Sequence, residues 1–236
     1  MPKFAVYYIP PAIDPCYQLG TQILGYDVRT QRSVEMPPDL QEYFGQFHTG
    51  WTAESQPFGF HLTISDALDC NWATIPLVER ELGDLLACFQ PTTLFTLQRR
   101  DDHAVGIWGK PGRHTLVLLY EPNEYLRMLH TLITARINPL ANGSGYLQRY
   151  LSHPERELPA HKVQQLRLFY SPTVLDNWYP HFTLLNPYTE EDVAEMAARL
   201  AQRFEPYKQF TLHSVCLLVQ RDEEARWQIY REFHRP

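Results

Sequence analysis

Two short segments, one in each half of the chain, constrain its fold most. Phe58-Gly59-Phe60-His61-Leu62-Thr63-Ile64 and Tyr179-Pro180-His181-Phe182-Thr183-Leu184-Leu185 repeat one pattern. Successive side chains of a strand alternate faces, so His61 and Thr63 share one face while Phe60, Leu62 and Ile64 share the other. His181 and Thr183 stand in the same relation to Phe182 and Leu184. The pattern predicts strands over 58–65 and 179–186, each burying an apolar face and aiming a His-x-Thr pair the other way. Two such strands can bring two imidazoles and two hydroxyls to one place. None of the other histidines, of ten in the chain, has a threonine two residues on. The alternative is two unrelated strands whose polar faces carry these residues by coincidence.

Composition narrows the class. With 236 residues, 44% hydrophobic and 20% charged, the chain is long enough for a substantial core and ordinary for a soluble globular protein. The formal net charge of −6 argues against a bulk duplex-nucleic-acid binder, whose affinity comes from neutralising phosphates, although a local basic groove is compatible with it. Cys16, Cys70, Cys88 and Cys216 form no Cys-x-x-Cys and read as reduced cysteines. Met1-Pro2-Lys3 leads into a strand-like run rather than a secretory signal, and no apolar run approaches the ~20 residues of a membrane helix. The expectation is a cytoplasmic, monomeric protein without membrane contact, a single domain over 1–236.

Along the chain, Phe4 to Ile9 is a strand ending at Pro10-Pro11, and Tyr17 to Leu24 a helix closed by Gly25. Thr30 to Pro57 is a long connection with a short helix around Pro38 to Phe47. After the first motif come a helix over Thr74 to Phe89 and strands over Thr93 to Arg99, Ala104 to Trp108 and His114 to Tyr120. A helix over Glu121 to Ile137 follows. Asn138 to Pro159 is a loop with a short helix at Tyr146 to Leu151, and His161 to Tyr170 is helical. After the second motif, Thr189 to Asp192 opens a helix running to Phe204, and strands follow over Phe210 to Val219 and Trp227 to Tyr230. Each half thus shows a motif strand, a helix and antiparallel strands. The fold class this predicts is α+β: two similar lobes, each an antiparallel sheet with helices outside, facing across a central cleft.

Other chemistries find little support. There is no His-Glu-x-x-His, no Cys/His cluster and no Asp-rich run, so neither a metal nor a cofactor is expected. Asn142-Gly143-Ser144-Gly145 lacks the pattern of a phosphate loop and reads as a connection between lobes. Phe58, Trp178 and Tyr179 are the aromatics nearest the motifs and candidates for stacking on a base, with core packing the alternative. Nothing selects one phosphate-binding cation among 21 Lys and Arg.

Phe60-His61-Leu62-Thr63-Ile64 and Pro180-His181-Phe182-Thr183-Leu184 resemble the signature of the 2H phosphoesterase superfamily, which includes the bacterial 2'-5' RNA ligase-like proteins and the cyclic phosphodiesterases. Phe4 to Pro11, followed by Leu24-Gly25-Tyr26-Asp27, is similar to the branch associated with phosphonate-utilisation operons. Ser65-Asp66-Ala67-Leu68 departs from that branch. The resemblance implies the bilobal fold and a metal-independent hydrolase acting on a cyclic phosphate or a 2'-5'-type phosphodiester. The substrate would be a cyclic nucleotide, a sugar cyclic phosphate or an RNA end. His61 and His181 would be the acid–base pair, since an imidazole titrates near neutral pH. Thr63 and Thr183 would hold the phosphate oxygens. Two other readings remain open here: a phosphonate-pathway protein acting on a cyclic ribose phosphate, and a non-catalytic binder of nucleotides or RNA ends.

Overall fold

The computed structural model describes residues 1–45, 47–100, 104–153 and 158–234. β1 (Lys3–Tyr8) leads to α1 (Pro15–Leu24), which starts at Asp14, whose carboxylate accepts from the Cys16 amide at 2.8 Å. Gly25, at φ 72°, closes the helix in the left-handed conformation. A small hairpin, β2 (Tyr26–Asp27) and β3 (Arg32–Ser33), and α2 (Pro38–Phe44) precede β4 (Leu62–Asp69), which carries the first motif. α3 (Ile75–Ala87), β5 (Thr96–Arg99), β6 (Val105–Lys110), β7 (Arg113–Pro122) and α4 (Glu124–Arg136) follow. β8 (Gly143–Ser144), α5 (Gly145–Ser152) and α6 (Ala160–Phe169) lead to β9 (His181–Tyr188), the second motif strand. α7 (Val193–Arg203), β10 (Gln209–Thr211), β11 (Ser214–Gln220) and β12 (Gln228–His234) complete the described elements. Residues 154–157 of the expected loop lie outside the described residues.

The structure is α+β. One ten-stranded sheet runs β10-β5-β7-β9-β4-β1-β11-β12, with β6 on β7 and β8 on β4. Its pairings are antiparallel. At its middle, β4 and β9 share one ladder pair, Leu62 with Phe182. On either side of that junction the strands cross over in sequence. β5, β6 and β7, which follow the first motif, flank the second; β11 and β12, which follow the second, lie beyond β1 beside the first. Neither array is built from one half of the sequence.

Several boundaries differ from the sequence reading. The first motif strand begins at Leu62, because Gln56–Phe58 is a 3-10 turn and Gly59 sits at φ 68°. A Cβ on Gly59 would lie 2.7 Å from Cβ of Val28, so only glycine fits both the conformation and the space. The second begins at His181, directly after Pro180, whose missing N–H cannot extend a ladder. The helix expected from Glu121 begins at Glu124: Glu121 pairs with Gln98, and the Asn123 side chain caps α4 by accepting from the Leu126 amide. The single strand expected over Phe210 to Val219 is two. β10 pairs with β5 and β11 with β1, at opposite ends of the sheet, and exposed His213 lies between them.

The apolar alternation of the motif strands holds. Phe60, Leu62 and Ile64 are buried on one face, as are Phe182 and Leu184, while His61, Thr63, His181 and Thr183 are half-buried on the other. The Phe60 and Phe182 rings stack at 4.6 Å and 13° beneath the junction, with Tyr8, Tyr120 and Phe210 around them. Among the described residues no helix is long and apolar enough to cross a membrane.

Candidate functional site

The shared pair fixes the geometry of the four motif residues. On an ideal antiparallel count outward from Leu62 and Phe182, the one pair the strands share, His61 falls across from Thr183 and Thr63 across from His181. On that count the four side chains fall at the corners of one square on one face of the sheet, and the cavities beside them are lined by Thr63 with His181 on one side and by His61, Thr63 and Thr183 on the other. The two imidazoles fall on one diagonal, close enough for His181 to act electrostatically on His61, and the two hydroxyls on the other.

Both rings are held in the same way. His61 Nδ1–H donates to the carbonyl of Gly59 at 2.8 Å, and His181 Nδ1–H donates to that of Tyr179 at 2.7 Å, two residues back in each case. A carbonyl can only accept, so the proton of each neutral ring sits on Nδ1 and Nε2 is left for other partners. The Thr63 hydroxyl lies 3.3 Å from His61 Nε2 and donates to it.

Aromatic rings brace the pair. Tyr7, beside Thr63 in the β1–β4 register, stacks on His61 at 4.0 Å and 18°. Trp108 meets His181 edge-on at 4.6 Å and 72°. Gly106 makes room for the Trp108 indole, since a Cβ there would lie 3.2 Å from its Nε1. Burial, reinforced by the neighbouring His181 and opposed by the Gly59 carbonyl, pushes the His61 pKa down to about 4. Burial also lowers that of His181, against the Tyr179 carbonyl.

A cavity opens on each side of the square. One, of about 340 Å³, lies on the His181 side among Trp108, Trp178, Tyr179 and Asn177. The other, of about 390 Å³, lies on the His61 side among Tyr7, Phe58, Arg149 and Thr183. Thr63, Asp66 and Tyr146 line both.

Of the aromatics suggested by sequence, Tyr179 is 57% exposed at the mouth of the His181-side cavity. Phe58 is half-buried beside His61, its ring stacked on Trp227 at 5.8 Å. Trp178 is buried against His130, ring on ring at 4.2 Å and 7°. That pair has a task in the backbone. β4 and β9 part after Leu62, leaving the next β4 carbonyls without a strand partner. Trp178 Nε1–H donates to the carbonyl of Thr63 at 3.0 Å, and His130 Nδ1–H to that of Ile64 at 2.8 Å. His130 Nε2 accepts from the Leu175 amide at 3.1 Å. Sequence reasoning had no signal for His130, one polar residue in a helix with no motif around it. Tyr7, Trp108, Tyr146 and Arg149 were equally invisible as neighbours of the motifs, because the sheet brings them from other strands and from α5.

His130 yields a prediction. Burial pushes its pKa down to about 4, opposed by the Ile64 carbonyl, against about 6.5 in the unfolded chain. Between these values the unfolded state binds more protons. Stability present above about pH 6.5 is therefore lost as pH falls toward 4, by on the order of 3 kcal/mol from this group. Urea midpoints across that range are expected to fall less steeply in His130→Asn than in the wild type. Parallel curves would mean that His130 is not the responsible group.

Comparisons with known proteins set this geometry in context. Residues 126–228 match the model of a family described as a protein of unknown function (DUF1045). No curated protein matches the chain. In structure the chain is similar to a phosphoesterase. The match to that crystal structure covers 98% of this chain and 97% of the other, at 11% identity and a TM-score of 0.43. E. coli LigT complexed with 3'-AMP is similar over 99% of this chain and 98% of its own, at 12% identity and a TM-score of 0.49. Kluyveromyces marxianus Usb1 with uridine monophosphate is similar over 97% of each chain, at 11% identity and a TM-score of 0.38.

Proposed function

We propose that the chain is a 2H-type phosphoesterase that hydrolyses a cyclic phosphate or a 2'-5'-type phosphodiester of a nucleotide or an RNA end. His61 and His181 act as the acid–base pair, and Thr63 and Thr183 as phosphate-binding donors. The supporting observation is the square of side chains at the β4–β9 junction. Displacement at phosphorus is in line, so base and acid belong on opposite sides of the phosphate. The histidine diagonal suits that arrangement, and the threonine diagonal supplies two hydroxyls for the non-bridging oxygens where charge gathers, Thr63 turning its proton from His61 Nε2 to the phosphate when substrate binds. The narrow junction is the boundary between two lobes that work as one domain, the cleft crossing their shared face.

The surroundings also favour an assignment of roles. Burial pushes the His61 pKa to about 4, and the Thr63 hydroxyl donates to its Nε2 in the free protein, both favouring the neutral form. On this reading the single proton shared by the pair sits on His181, whose pKa burial also lowers. His61 Nε2 takes the proton of the attacking water, and His181 Nε2–H passes one to the departing sugar oxygen. The sugar then lies in the His181-side cavity, among the aromatics, and water enters from the His61 side.

The test is the pH dependence of kcat/KM for a 2',3'-cyclic nucleotide, measured with chelator present. The expected profile is a bell with its maximum below pH 6.5, between the two lowered imidazole values, because kcat/KM reports the groups of the free enzyme. Activity that vanishes with chelator would overturn the two-histidine mechanism. Tight binding of a phosphate ester with no turnover at any pH would favour a binding protein instead.

A further inference from the structure

Beyond Thr63, strand β4 carries a carboxylate that the square does not use. Three residues on, Asp66 would ordinarily face away from Thr63, because strand faces alternate. The β1–β4 register shifts between these positions: Tyr7 pairs with Thr63 and Val6 with Ser65, so β4 holds one extra residue there. This bulge inverts the alternation and turns Asp66 to the cleft face, into the wall shared by both cavities.

The carboxylate is oriented before any ligand arrives. The hydroxyls of Ser171 and Thr173 both donate to Oδ2, Thr173 at 3.2 Å. Ser171 is fully buried and its hydroxyl lies 3.1 Å from that of Thr173, so the three groups form one unit. Among the described residues Oδ1 accepts no hydrogen bond and no Lys or Arg lies within ion-pair distance of Asp66, although the Arg149 guanidinium acts on it electrostatically. Arg149 and Lys3 stand on the His61-side wall, Lys3 at 3.8 Å from Asp69, and the lining of the His181-side cavity contains no Lys or Arg. Burial raises the pKa of the Asp66 carboxyl, opposed by the Ser171 and Thr173 hydroxyls and by Arg149. A desolvated carboxylate oxygen with an open acceptor position repels a phosphate and attracts a neutral O–H, with a charge-assisted bond about twice as strong as a neutral one. Along the strand Asp66 lies roughly 10 Å from Thr63, about the reach of a phosphate and the pentose attached to it.

We infer that Asp66, set by Ser171 and Thr173, is a specificity residue that accepts a hydrogen bond from a hydroxyl of the sugar bearing the scissile phosphate, and that it excludes a second phosphate from that position. The inference rests on the phosphoesterase reading. It names the substrate class as phosphate esters of a hydroxylated sugar whose far hydroxyl is unmodified.

The test compares adenosine 2',3'-cyclic phosphate with its 5'-deoxy and 5'-phosphorylated forms. In the wild type, kcat/KM is expected to fall at least ~10-fold on loss of the hydroxyl, in line with a hydrogen bond to a charged group. It is expected to fall further on phosphorylation. Asp66→Ala brings the parent-to-deoxy ratio within about threefold of one, and Asp66→Asn, which keeps an acceptor for Ser171 and Thr173, recovers the phosphorylated compound about tenfold. Each ratio is taken within one protein, so a loss of folded material cancels. A parent-to-deoxy ratio unchanged in Asp66→Ala overturns the inference. If the wild type turns over none of the three compounds, the phosphoesterase reading fails on its own. Calorimetric Kd values for adenosine 2'-monophosphate and its 5'-deoxy counterpart then decide: a ratio of at least ~10 that Asp66→Ala abolishes supports the role of Asp66, and equal affinities in the wild type overturn it.

Discussion

Replacing His61 or His181 by alanine is expected to lower kcat for a 2',3'-cyclic nucleotide by roughly 10²–10⁴-fold, the usual range for losing one positioned proton carrier. KM is expected to change far less, because the threonine hydroxyls that would meet the phosphate remain. The double variant is expected to be little slower than the worse single one, since groups that act on one transition state do not contribute additively. Both side chains are half-buried and bond only to local carbonyls and one hydroxyl, so urea midpoints should stay near that of the wild type. Steady-state kinetics of the three variants, with the midpoints alongside, make the check. Either single variant retaining full turnover on every substrate of the wild type would sink the two-histidine mechanism.

The second large effect concerns the opposite face of the same strands. Phe182 is fully buried, stacked on Phe60 and surrounded by Tyr8, Tyr120 and Phe210. It also forms the one ladder pair that joins β4 to β9. Phe182→Ala is expected to cost about 3–5 kcal/mol, the transfer term plus the cavity left behind. The loss is readable as a lower urea midpoint with little change in slope. Phe182→Leu, which fills much of the space, should recover most of it. Activity per folded molecule is the finer readout: the alanine variant loosens the register that sets His61 across from Thr183, so kcat should fall even where the protein remains folded.

The parts of this architecture that depend on local pattern were legible in the sequence. Alternation put Phe60, Leu62 and Phe182 inside and His61, Thr63, His181 and Thr183 on the other face, and the structure has them there. Gly25 closes its helix as its conformational freedom suggests. What sequence could not supply was partner choice. Periodicity identifies Phe210 to Val219 as extended, yet not that Phe210 pairs with Leu97 while Val219 pairs with Phe4. The same limit hid Tyr7 and Trp108, which reach the imidazoles across strand pairs. It hid His130, whose role exists only because β4 leaves β9. Asp66 was hidden for a different reason: counting by twos assigns it to the wrong face, and only the register shift opposite Val6 corrects the count.

The crossing of strands between the two arrays also bears on when the site can exist. β4 has β1 on one side, β1 needs β11, and β11 is followed by its own partner β12. A growing chain that has already emerged with both histidines still lacks the strands that complete the sheet around the first of them. Contacts between such distant positions close late and slowly, since the intervening loop entropy must be overcome first. Assembly of the cleft is thus coupled to the far end of the sheet. A nascent chain stopped just after β9 would hold the four motif residues without the scaffold that sets them in register.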